Sequence, residues 1–125
     1  MSDVEYLDIE DAVALIRVLK VGPIRDVGLL DSAMNRPRSS AFGEDAYPTL
    51  TLKAAALLHS VTNNHALVDG NKRIGWLCVV VFCDVNGFSV DLSDDNAFQL
   101  VWDVASTAID VRQIAERLRL VPRST

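Results

Sequence analysis

Cysteine is scarce in this chain, with two in 125 residues, Cys78 and Cys83. Five positions apart in one helical pattern, they point in different directions and do not bridge, which excludes a disulfide framework. Buried free thiols in a reducing compartment are expected instead. Basic residues are outnumbered, 12 Lys and Arg against 17 Asp and Glu, for a formal net charge of −5. Non-specific attachment to nucleic acid or to an anionic membrane needs a basic surface, so neither partner is expected. Long apolar runs are missing too. The longest, Ile74 to Cys83, is about half of the roughly 20 residues that a spanning helix needs. The acidic start, Met1-Ser2-Asp3-Val4-Glu5, lacks the basic-then-apolar pattern of a signal peptide. A soluble cytoplasmic protein is the expectation. No repeat, linker or low-complexity segment interrupts the chain.

What is present is a core-forming composition. Half of the residues are hydrophobic, which excludes a disordered chain. The length fits one domain, residues 1–125. Helical periodicity runs through most of it. Asp8 should cap a helix with Ile9, Ala12, Val13 and Ile16 on one face, ended by Gly22-Pro23. Asp26 opens a shorter one carrying Leu29, Leu30, Ala33 and Met34, which Pro37 terminates. Leu50 to Asn64 repeats Ala54, Leu57, Leu58 and Val61. Ile74, Leu77, Cys78, Val81, Phe82 and Val85 give the next helix, and Trp76, Val79 and Val80 make its other faces apolar as well. A helix apolar all round belongs at the centre of the domain. Ser93 starts a helix with Leu100, Val101 and Val104 inward, where Phe98 and Trp102 are expected to pack. Asp110 and Gln113 form a capping box for the last helix. The fold class is therefore all-α, about six helices around a buried central helix near residues 70–86. One short two-stranded ribbon, Phe88-Ser89-Val90-Asp91 against Tyr6-Leu7, is compatible with the pattern.

The segment from Ser39 to Asp45 is the least regular, and a loop of this kind is a plain connection or a functional one. His59, on an apolar face, is read as a core residue.

Polar chemistry concentrates at the mouth of the central helix, in His65-Ala66-Leu67-Val68-Asp69-Gly70-Asn71-Lys72-Arg73. Gly70 permits a tight turn and close approach of a ligand. The helix that follows presents unpaired N–H groups to an anion. Lys72 and Arg73 place two cations where the helix dipole disfavours them, a cost that a bound polyphosphate removes. Asp69 is the one carboxylate of the stretch and suits magnesium beside phosphates. His65 suits a general base. The alternative is an ordinary polar helix start, with Asp69 as N-cap and both cations in solvent.

The stretch resembles the signature of the Fic/Doc family: a His, an aromatic two residues on, then acidic, small, Asn, Lys and Arg positions. Lys72 stands where adenylyl-transferring Fic proteins carry Gly, which is similar to the Doc (death-on-curing) branch. Arg25-Asp26-Val27-Gly28-Leu29-Leu30, Tyr47-Pro48-Thr49-Leu50, Lys53-Ala54-Ala55-Ala56-Leu57 and Asn86-Gly87 agree with it. The resemblance runs from about Tyr6 to Leu118. It departs at Leu67, where the family's aromatic anchors the loop in the core.

The resemblance implies a toxin of a type II toxin–antitoxin system that uses ATP and Mg²⁺ to phosphorylate a threonine of translation elongation factor Tu, arresting translation. His65 would take the hydroxyl proton and Asp69 would hold the metal. Gly70, Asn71, Lys72 and Arg73 would bind the phosphates, with Lys72 also serving catalysis. It implies a flap at 39–45 beside the nucleotide cleft, and an antitoxin supplied in trans that folds as a helix into a groove. The self-inhibitory helix of some Fic proteins has its nearest match in Ser40 to Glu44, which Gly43 disfavours as a helix. Two other readings stay open. Fic-type transfer of AMP to a protein hydroxyl would use the same base and cradle, and an inactive module would keep only the fold.

Overall fold

The computed structural model describes residues 3–124; Met1 and Ser2 of the acidic start lie outside them. Among the described residues run six α-helices: α1 Ile9–Leu19, α2 Val27–Asn35, α3 Leu50–Asn63, α4 Asn71–Val85, α5 Asp94–Ala105 and α6 Val111–Arg117. Their starts follow local side-chain chemistry. Asp8, Asp26, Thr49, Ser93 and Asp110 each accept a hydrogen bond from the third residue beyond, and Asp8 and Asp110 complete capping boxes. Pro37 converts the end of α2 into a 3-10 turn, Arg36–Arg38, because its ring removes a donor that an α-helix would need.

α3 and α4 form the centre. Ala54, Ala55 and Ala56 let the α3 backbone approach its neighbours closely, and Leu57, Leu58 and Val61 are shut off from solvent. α4 buries Ile74, Cys78, Val79, Phe82 and Cys83 in the same core. Burial pushes both thiols up to about 12, so neither is a nucleophile at neutral pH. The mostly helical architecture expected from the periodicity is present.

The strands differ from expectation in their partner. β3 Phe88–Val90 pairs antiparallel with β4 Leu120–Pro122, not with Tyr6-Leu7. The N-terminal segment is held instead by Asn86, whose side chain exchanges hydrogen bonds with the backbone of Glu5 at 2.9 and 2.8 Å. A second ribbon, β1 Ser40–Ala41 with β2 Glu44–Asp45, turns through Phe42-Gly43, both at positive φ. The irregular segment is thus a small hairpin, and Phe42 at its tip is fully exposed.

Phe98 and Trp102 also depart from expectation. They stack on each other at 6.1 Å and remain 67% and 53% exposed. Periodicity placed them on the flank of α5 correctly, but no element among the described residues covers that flank. Near the C-terminus, Arg117 pairs with Asp103, Arg119 with Asp91 and Arg123 with Asp84, each at the surface.

Candidate active site

The site is built where α3 hands over to α4. α3 ends at Asn63 with Asn64 as its C-cap, and His65 takes the left-handed conformation, φ +53°. That turn sends Ala66 and Leu67 inward, each 2% exposed, while His65, Val68 and Asp69 face out. Leu67 therefore fills the anchoring position in the core, where the family's aromatic was expected. Asn71 locks the loop from the other side: its side chain accepts from Leu67 N–H at 3.1 Å and donates to Leu67 C=O at 2.9 Å. Both ends of that amide are engaged with the loop, which fixes its orientation and leaves the backbone N–H of Asn71 at the start of α4.

A strap crosses the loop from outside. Residues 21–26, between α1 and α2, pair with it almost as a strand would. Gly22 N–H donates to Asp69 C=O at 3.0 Å, Val68 N–H to Pro23 C=O at 2.9 Å, and Arg25 N–H to Ala66 C=O at 2.7 Å. Val21 lies against Gly70 so closely that a Cβ there would sit 2.5 Å from the Val21 Cβ. Gly70 itself has φ +91°, a conformation natural to glycine. In sequence, Gly22-Pro23 reads only as a helix stop; the strap depends on contacts about 40 residues apart, for which local patterning carries no signal.

Gly70, not Asp69, is the N-cap of α4, and no side chain caps this helix. The cap half of the plain alternative is corrected, since Asp69 lies one residue outside and caps no amide; Lys72 and Arg73 are exposed, as that alternative has them. The other five helices all have a side-chain cap. The first turn of α4 also carries no acid and two bases, Lys72 and Arg73. Unpaired amides and two cations give this helix start a charge pattern complementary to an anion.

His65, Asp69, Gly70, Asn71, Lys72 and Arg73 come together around one cavity of about 270 Å³, with Thr62 at its wall. The Thr62 hydroxyl is buried and, among the described residues, the only such side-chain polar atom without a partner. Asp69 is largely exposed and stands 3.7 Å from Arg73. Among the described residues no cluster of three or more His, Cys, Asp or Glu could hold a metal by itself. Asn63 and Asn64, at the end of α3, do not orient His65; their amides bind Val104 C=O and Leu29 C=O.

Beside this cavity lies a larger, apolar one of about 600 Å³ between α4 and α5. Trp76, Leu77, Val80, Phe98 and Trp102 line it, and Lys72 and Arg73 belong to both cavities. The Lys72 ammonium sits 5.5 Å from the centre of the Trp102 ring, a cation–π contact that holds it between the two. No helix among the described residues is long and apolar enough to cross a membrane.

Residues 5–83 match the model of the Fic/DOC family. The chain is 45% identical over 118 residues to a curated protein of Mycolicibacterium smegmatis named Toxin Doc, covering 91% of each.

Proposed function

Since the chain belongs to the Fic/DOC family, we propose that it is a Doc-like toxin whose activity is ATP-dependent phosphorylation of a protein hydroxyl. By resemblance the acceptor is a threonine of elongation factor Tu, and the consequence is arrested translation. The observation that carries this reading is the start of α4: bare amides and two cations, with His65 lining the same cavity.

Phosphoryl transfer asks mainly for positioning and charge stabilisation. The amides of Asn71, Lys72 and Arg73 hold phosphate oxygens, and the Lys72 and Arg73 side chains oppose the charge that develops in transfer. His65 accepts the proton as the hydroxyl oxygen bonds to the γ phosphorus. The bond from that phosphorus to the β–γ bridging oxygen breaks, and ADP leaves. His65 then returns its proton to solvent. Magnesium fits the donor set, because this ion commonly uses one or two carboxylates with phosphates and water. Asp69 is the exposed carboxylate that would hold it. The chemistry it would supply is neutralisation of charge on the phosphates.

Lys72 favours γ over α transfer: it is a long cation at a position that is Gly in the AMP-transferring relatives. Its ammonium, on the Trp102 side of the cavity, restricts how a triphosphate can lie. Incubation with bacterial extract and ATP labelled at either the α or the γ position tests the assignment. The γ label should enter protein and the α label should not, with His65→Ala reducing transfer about 10²–10⁴-fold. Entry of the α label would replace kinase by nucleotidyl transfer, and no label from either would leave a binding module.

Control by an antitoxin is part of the same proposal. Ser40 to Glu44 forms a hairpin, not a helix, so the nearest match to a self-inhibitory segment does not take that form. The apolar groove beside the site runs between α4 and α5 as far as Asp94 and Ala97, where a more polar hollow lined by Asp84 and Ser89 begins. With Lys72 and Arg73 at one end, the groove suits the apolar face of a helix carrying an acid toward those cations. Expression alone should arrest growth, and co-expression of the natural neighbour should relieve it.

A further inference from the structure

We propose that Arg25 is the positioning residue for His65, holding the imidazole in place through the main chain; this rests on His65 being the base, as argued above. The guanidinium donates from both Nε, at 3.0 Å, and Nη2 to the carbonyl oxygen of His65. The backbone N–H of the same residue donates to the next carbonyl, that of Ala66, at 2.7 Å. One residue of the strap therefore fixes two successive peptide units just after α3 ends.

That grip falls where the chain most needs it. His65 is not glycine, yet φ is +53°, a region that L side chains rarely adopt. Catalytic bases are commonly oriented by a hydrogen bond to their own ring. Here, among the described residues, the His65 ring has no such bond, and the neighbouring asparagine amides are directed elsewhere. With no hydrogen bond on the ring, the backbone dihedrals of residue 65 set the Cα–Cβ direction, and with it the region the imidazole can reach. Those dihedrals are held by the peptide beyond residue 65, whose oxygen Arg25 binds. Two donors converging on one oxygen resist rotation of that peptide better than one would.

The phosphate side of the site has its own supports: the Asn71 clamp on Leu67 and the contacts of Val21 and Gly22 with Gly70 and Asp69. Loss of the Arg25 side chain leaves these in place. The effects on base and on phosphate binding should therefore separate.

Arg25→Met keeps the stem and removes both donors; the side chain is exposed, so the variant should fold. The maximal rate of γ-label transfer into extract proteins should fall about 10-fold or more, with the ATP concentration for half-maximal rate changed less than twofold. Arg25→Lys, with one point donor, should lie between. In Arg25→Ala, added methylguanidinium should recover part of the lost rate. Independently of activity, the His65 Cα shift and amide-to-Hα coupling should move away from left-handed values in Arg25→Met. Unchanged transfer in Arg25→Met while His65→Ala is dead overturns the positioning role. So does an unchanged His65 signal, or a loss of ATP affinity as large as the loss of rate. Full transfer by His65→Ala would instead overturn the assignment of the base.

Discussion

Gly70 answers two demands at once. Its φ of +91° disfavours any side chain, and Val21 occupies the space a Cβ would need, at 2.5 Å. Gly87 shows the first demand without the second: φ is +88°, with nothing within 4 Å of its missing Cβ. The pair separates backbone strain from steric overlap. Gly87→Ala should cost about 1 kcal/mol of unfolding free energy, the scale of a single strained residue. Gly70→Ala should cost about 2–4 kcal/mol, because overlap with the strap adds to that strain. Urea denaturation measures both, and equal losses would mean that Val21 yields freely. Of the residues named from sequence, Gly70 was legible because glycine before a helix is a local signal. Arg25 stood in a stretch that resembled the family, but its grip on His65 was not, because the contact spans 40 positions.

At the scale of elements, α3 is tied to the turn that follows α2 through His59 and Arg36. The Arg36 Nη1 lies 2.7 Å from His59 Nδ1. A guanidinium only donates, so Nδ1 is the acceptor and the ring is neutral when the contact is made. Burial lowers the His59 pKa, and the Arg36 charge lowers it further. The folded state thus binds this proton less readily than the unfolded chain. Its contribution to stability is complete above the unfolded value near 6.5 and is lost as pH falls through the lower folded value. Wild-type stability should decline on acidification below about pH 6.5, and His59→Gln should flatten that decline. The carboxylates held low, Asp103 by Arg117 and Asp8 by the backbone of Asp11, act in a more acidic window, below their ordinary values. Melting temperatures measured from pH 7 to 5 distinguish the two; an equal slope in the variant would contradict the neutral-ring account. Helix starts were readable from sequence at this scale because Asp8, Asp26, Ser93 and Asp110 act over three residues. The partner of β3 was not, because Phe88 and Pro122 are brought together only by the path of α5 and α6. The exposure of Phe98 and Trp102 was not either: periodicity tells which side of α5 they occupy, and packing alone tells whether a neighbour covers that side.

At the scale of the whole molecule, five α-helices among the described residues satisfy one of their first amides with a capping side chain, and α4 has no such cap. The same end gathers Lys72 and Arg73 in a chain of net charge −5, and it adjoins the apolar groove. The cavity at the start of α4 and the apolar groove therefore share two cations, so that in the proposed reading a ligand in the groove reaches the charge of the site. Central to this account is that polyphosphate occupies the bare amides of α4. Titration of the full-length protein with ATP and magnesium, followed residue by residue through backbone amide shifts, tests it most directly. The account predicts large saturable shifts of Asn71, Lys72 and Arg73, loss of most of the response in Lys72→Ala, and little change along β3 and β4. Saturable shifts that leave residues 70–73 unmoved, or no shifts at millimolar ATP, would contradict it.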